Sequence, residues 1–213
     1  MSSCDMNTIT VIGSGLIGRS WAMVFVSGGY SVKIYDNQPG QAAKAIQEIR
    51  KQLEELEEAH MLRGELRANQ QLALISSHDD LSQALQGAFF VQVTHSRLPS
   101  PAHDVPHILK HTFAPQVNPP YYVKLVELVP HPETAAAVMD TTHSLMTKVG
   151  QAPIRLKREI DGFALNRVQA AIIAESWRLV QVSVSLLSLS EPVNTLLTLG
   201  CKTKNTCPDC IYY

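Results

Sequence analysis

The sequence predicts an α/β fold, a mostly parallel sheet with helices on both faces, followed by an all-α segment. Three observations carry this. The first forty residues read strand, glycine turn, helix, strand, acid. Short apolar runs and amphipathic runs then keep alternating as far as Leu156, the order that builds a parallel sheet. Beyond Asp161-Gly162 one long helical pattern stands alone.

The amino-terminal unit gives the first chemistry. Residues 7–12 are β-branched and extended, and Gly13-Ser14-Gly15-Leu16-Ile17-Gly18 follows at once. Residues 19–26 are apolar enough for a buried helix, and a second strand, residues 31–35, ends on Asp36. Gly13 makes the tight turn out of the strand. Gly15, lacking a side chain, lets a pyrophosphate approach the helix N-terminus, where free N–H groups and the dipole favour an anion. Gly18 allows close helix–strand packing, and Leu16 and Ile17 offer backbone to the same ligand. Asp36, eighteen residues past Gly18, accepts hydrogen bonds from ribose hydroxyls and repels a 2′-phosphate. The expected fold is therefore Rossmann-type and the expected cofactor NAD rather than NADP.

Composition narrows the partners. A 213-residue chain with 45% apolar residues holds one or two domains and a real core. Net charge is −1, which gives no electrostatic reason to bind nucleic acid or an anionic membrane. No apolar run reaches membrane-spanning length, and the opening Met1-Ser2-Ser3-Cys4-Asp5 lacks a basic region followed by an apolar one. A cytoplasmic location is expected, with Cys4, Cys201, Cys207 and Cys210 as reduced thiols. Cys207-Pro-Asp-Cys210 has metal or redox spacing but no second pair, so no metal is expected.

Along the chain, residues 41–59 form an amphipathic helix with Ala42, Ala45, Ile46, Ile49, Leu53 and Leu56 on one face. The acids Glu54, Glu55, Glu57 and Glu58 read as a solvated face. A strand is expected over residues 72–76, a helix over 81–86 and a buried strand over 88–93. Residues 94–106 carry three prolines and no period, hence a loop too short for another βαβ step of about 30 residues. Strands follow at 108–113 and 125–129. A helix starts around Pro132-Glu133-Thr134 and stops at Gly150. A last strand is read at 153–156, then the helix 163–180. After Gln181 the period fails.

The stretches GSGLIGRSWAMVF, VKIYD, VNPPYYVKLVELVPHPET and DGFALNRVQAAIIAESWRLV together resemble the 3-hydroxyacyl-CoA dehydrogenase family, over about residues 7–92 and 107–180. The resemblance implies a Rossmann domain over residues 1–158 and a helical C-terminal domain from 159. It also implies a homodimer and cytosolic oxidation of a small 3-hydroxy acid to the 3-keto acid with NAD. In the family a histidine takes the hydroxyl proton while a glutamate orients it. A serine and an asparagine bind substrate oxygens. The glutamate falls on Glu127, which by strand alternation reads equally as a surface residue. The asparagine falls on Asn166, otherwise an ordinary polar helix position.

The departures concern turnover. The family's histidine position is Pro115, which has no titratable group, and its serine position is His95. An acidic loop, a helix and a strand of the family are missing between Gln92 and Thr94, and the helical domain is cut short, leaving an unrelated tail from about residue 181. His111, four residues before Pro115, lies about 13 Å away along an extended chain. NAD binding with impaired turnover is the expectation. The rivals are a fully working dehydrogenase, an NAD-binding or structural protein without catalysis, and a product of incomplete splicing.

Overall fold

A computed structural model describes residues 7–94, 112–113, 119–130 and 134–181. The chain divides between Arg158 and Glu159 into two compact units.

The first unit is built on a four-stranded parallel sheet in the order β3-β2-β1-β4. Its strands are β1 (Thr8–Ile12), β2 (Ser31–Tyr35), β3 (Ile75–His78) and β4 (Phe90–Val93). The register runs Thr8↔Ser31 to Ile12↔Tyr35 on one side of β1 and Ile9↔Phe90 to Ile12↔Val93 on the other. Successive side chains point to opposite faces, and the two faces recruit different helices. Ile9, Val11, Val32, Ile34 and Phe90 face the main core with α1 (Leu16–Ser27) and α2 (Gln41–Glu58). Ile12, with Tyr35, Val91 and Val93, packs on Leu81 and Leu85 of α4 (Leu81–Leu85). Thr10 also faces α4 and resolves its buried hydroxyl by donating to Ala84 O at 2.6 Å. Helices thus cover both faces, as the sequence predicts.

Helix α1 is the centre of the unit. Trp21 to Val26 are all buried, and the Trp21, Phe25 and Phe90 rings meet at 5.4 and 5.8 Å. Helix α2 buries one stripe, Ala42, Ala45, Ile49, Leu53 and Leu56, while its four clustered glutamates are exposed.

The strand expected over residues 72–76 is displaced. Leu72 ends a short helix, α3 (Ala68–Leu72), and β3 begins at Ile75. Pairing decided this. Val32 N donates to Leu74 O, and Val32 pairs with Ile75, so β2 draws in the polar Ile75-Ser76-Ser77-His78 run. Leu72 and Leu74 pack against the core beside it. Local apolarity was overridden by tertiary context.

A second sheet has the order β5-β6-β7: β5 (Thr112–Phe113), β6 (Leu125–Pro130) and β7 (Ala152–Arg155). β5 runs antiparallel to β6, and β7 runs parallel to it. Of the strand read at 108–113, only these two residues are described. Helix α5 (Ala136–Lys148) links β6 to β7, places Met139, Leu145 and Met146 in the main core and buries Thr142 as well. Among the described residues β4 pairs only with β1, so the two sheets are not hydrogen-bonded to each other.

In the second unit, α6 (Phe163–Gln181) follows Gly162, whose φ is +76°. Val168, Ile172 and Trp177 are exposed. Among the described residues no helix is long and apolar enough to cross a membrane.

Candidate cofactor site

The carboxyl ends of β1, β2 and β4 lie side by side, and each leads into a candidate residue. In an open parallel sheet this is where ligands bind, at the point where strand order reverses. Here that point is between β1 and β4, flanked by β2.

After β1, Gly13 takes φ +98° and donates its N–H to Tyr35 O at 2.8 Å, turning the chain over the end of β2. Only glycine adopts that conformation without strain. Gly15 is the N-cap of α1, with no side-chain cap, and the first turn holds no acid. The first intrahelical bond is Arg19 N to Gly15 O, so the N–H groups of Leu16, Ile17 and Gly18 have no acceptor within the helix.

The glycines act differently. A Cβ on Gly18 would stand 1.8 Å from Gly13 O, so Gly18 is demanded by the protein's own packing. A Cβ on Gly15 would meet nothing within 4 Å. Among the described residues nothing explains a glycine there, whereas a pyrophosphate against the helix end does. Leu16, at the same end, is 60% exposed. Asp36, past β2, is half-buried: Oδ2 accepts from Ser14 N at 2.8 Å and Ser14 Oγ at 2.6 Å, and Oδ1 accepts from Gln38 N at 3.1 Å. A carboxylate held beside an uncapped helix end fits the ribose and the diphosphate of NAD.

Two contributors escape the motif reading. Ser14 is a variable position of the fingerprint, yet it holds Asp36. Thr94, just past β4, donates its hydroxyl to Ile12 O at 3.0 Å and Gly13 O at 3.3 Å, tying the end of β4 to the glycine turn. A polar residue at a strand's end was the only signal available for either.

The six positions expected from the sequence to meet the cofactor, Gly13, Gly15, Leu16, Ile17, Gly18 and Asp36, are thus brought to one end of the first sheet. Glu127 lies in the second sheet, paired with Ile154, and is 2% exposed. It is not the surface residue that alternation allows, because β6 is covered on both faces. Asn166 is an exposed residue of α6 in the second unit. His95, Pro115 and the four cysteines lie outside the described residues, among which no cluster of His, Cys, Asp and Glu could hold a metal ion.

The chain matches the family model described as "3-hydroxyacyl-CoA dehydrogenase, NAD binding domain" over residues 8–94 and 107–160. It is 42% identical to lambda-crystallin of Oryctolagus cuniculus, over 86% of this chain and 67% of that protein. It is 47% identical to the lambda-crystallin homolog of Bos taurus, over 83% of this chain and 64% of that protein. The chain therefore spans about two thirds of the length of these curated relatives. The rabbit alignment runs over 214 positions but uses 86% of 213 residues, about 183, so about 30 positions of that relative face no residue here. Among solved structures, the 3-hydroxybutyryl-CoA dehydrogenase of Escherichia coli K12 superposes with a TM-score of 0.71 at 25% identity, over 85% of this chain and 44% of that one. Fold, glycine turn and relatives agree on one conclusion: the chain belongs to the 3-hydroxyacyl-CoA dehydrogenase family of NAD-binding oxidoreductases.

Proposed function

We propose that this chain holds NAD at the N-terminus of α1 and descends from an L-gulonate 3-dehydrogenase within this family, with dehydrogenation impaired. The single observation that carries the binding half is the open space at Gly15, on an uncapped helix end beside the tethered Asp36. The main-chain N–H groups of Leu16, Ile17 and Gly18 would bind the diphosphate, and Asp36 the adenine ribose. The bound nicotinamide supplies a hydride acceptor for a 3-hydroxy acid such as L-gulonate.

The chain's own residues then have to take the hydroxyl proton. In this reading Glu127, buried in β6, is the acid that orients a base, and Asn166 is the substrate-binding amide. The residue it would orient is absent: the base position is Pro115. Two further observations favour impairment. The parallel sheet stops at β4 among the described residues. The family match is interrupted over residues 95–106, with about 30 positions of the rabbit relative unaccounted for along the alignment. A helix and a strand need about that many residues.

The full chain is expected to release heat on titration with NAD while producing no measurable NADH from L-gulonate, since loss of a general base alone costs about 10²–10⁴-fold. Restoring Pro115→His is expected to leave turnover undetectable, because the missing segment would still be missing. NADH formation at an ordinary rate by the unmodified chain would overturn the impairment.

A further inference from the structure

The geometry points to Ser14 as the positioning residue that sets the cofactor preference, by clamping the Asp36 carboxylate at the mouth of the adenine-ribose site. This rests on the assignment of Asp36 to the ribose, and it concerns a residue which the glycine fingerprint leaves free to vary.

Ser14 is 4% exposed, so its hydroxyl cannot turn to water. It donates to Asp36 Oδ2 at 2.6 Å, and its own N–H reaches the same oxygen at 2.8 Å. The other oxygen, Oδ1, accepts from Gln38 N at 3.1 Å. The carboxylate is thereby fixed from both sides, by the turn after β1 and by the turn after β2. Hydrogen bonds to an ionised acceptor are short and strong, and 2.6 Å is in that class.

A fixed carboxylate has two consequences for a nucleotide. A ribose 2′,3′-diol donates to an acceptor that needs no ordering on binding, which favours affinity. A 2′-phosphate meets a negative charge that has no freedom to swing aside, which disfavours NADP. Alanine at 14 keeps the amide donor and removes the hydroxyl. The carboxylate then gains rotational freedom, so NAD should lose affinity while NADP loses less or gains.

The test is calorimetric titration of the full chain with NAD and NADP. The same variants are titrated with AMP and adenosine 2′,5′-bisphosphate, which carry the two riboses without the nicotinamide half. Ser14→Ala is expected to narrow the NAD-to-NADP affinity ratio about tenfold, equivalent to about 1.4 kcal/mol, with the same narrowing for the fragment pair. In a cycle with Asp36→Asn the double variant should narrow the ratio no further than Asp36→Asn alone. Should Ser14→Ala fail to fold, Ser14→Cys fills the same space with a weak donor and should narrow the ratio in the same direction. A uniform loss for all four ligands would mark a merely structural serine and overturn the inference. So would tighter NAD binding, which would mean that the hydroxyl competes with the ribose. If Asp36→Asn narrows the ratio and Ser14→Ala does not, the clamp is wrong and the ribose assignment stands. If neither does, both fall.

Discussion

Replacing Gly18 with alanine is expected to lower stability by about 3 kcal/mol and to abolish NAD binding. The sign is the informative part. At an exposed helix position the same change would stabilise by about 0.8–1.0 kcal/mol, because alanine is the better helix former. Here the new methyl would stand 1.8 Å from Gly13 O and 2.9 Å from Gly13 C. Both are backbone atoms of a turn anchored by Gly13 N to Tyr35 O and by the Thr94 hydroxyl. No side chain can rotate away, so either α1 lifts off β1 or the turn opens. Overpacking of that kind costs about 1–3 kcal/mol, sometimes more, and exceeds the gain in propensity. Thermal denaturation should show a fall in Tm of about 10 °C for a chain of this length. An unchanged or raised Tm would mean that α1 and the turn are not packed as described.

Arg63→Ala is expected to destabilise the first unit by about 3–5 kcal/mol through a different cause, the stranding of buried acceptors. Arg63 stands in the segment between α2 and α3. Its Nη1 donates to Tyr121 O at 3.0 Å, its Nη2 to Val149 O at 2.8 Å, and both reach Gln151 Oε1 at 3.2 Å. Its own N–H donates to the Tyr121 hydroxyl at 2.9 Å, and the guanidinium lies 5.4 Å from that ring's centre. Burial holds the Arg63 pKa below its ordinary value, and neighbouring Tyr121 acts against that shift. The contacts tie the segment after α2 to the chain just ahead of β6, the strand that carries Glu127, and to the chain just ahead of its neighbour β7. Lysine should recover little, since one ammonium cannot serve carbonyls in three directions as a planar fork does. Chemical denaturation checks this: Arg63→Lys falling near Arg63→Ala fits the clamp, and a loss below about 1 kcal/mol for Arg63→Ala contradicts it.

The parts of this molecule that a sequence reveals are those made by local chemistry. The glycine turn, β2 with its terminal Asp36, and the one-faced helix α2 each follow from spacing within a few residues. The parts it conceals are made by distant partners. β3 is a polar run recruited by β2, and the apolar residues ahead of it went to a helix and a turn instead. Arg63 is one cation in a loop until folding brings Tyr121, Val149 and Gln151 around it. Glu127 obeys strand alternation, yet β6 is buried on both faces, so period two could not tell surface from interior. Ser14 occupies a position that the fingerprint treats as arbitrary, and only the fold brings Asp36 to it. Spacing suggested the tight turn at Gly13 and the close packing at Gly18, and the structure shows a φ of +98° at the first and backbone contact at the second; only the fold separates them from Gly15, which the described residues leave open.

Gly15→Ala tests the central claim most directly, because it separates the fold from the ligand. The added methyl meets no atom of the described residues within 4 Å, and Gly15 has φ −65° and ψ −171°, a conformation open to alanine. Melting and NAD titration should be run on the same sample beside the unmodified chain. If the diphosphate seats on the N-terminus of α1, the melting curve stays within about 1–2 °C while NAD affinity falls at least about tenfold, a loss of about 1.4 kcal/mol. Undiminished NAD binding by a normally folded Gly15→Ala chain would place the dinucleotide elsewhere and contradict the account.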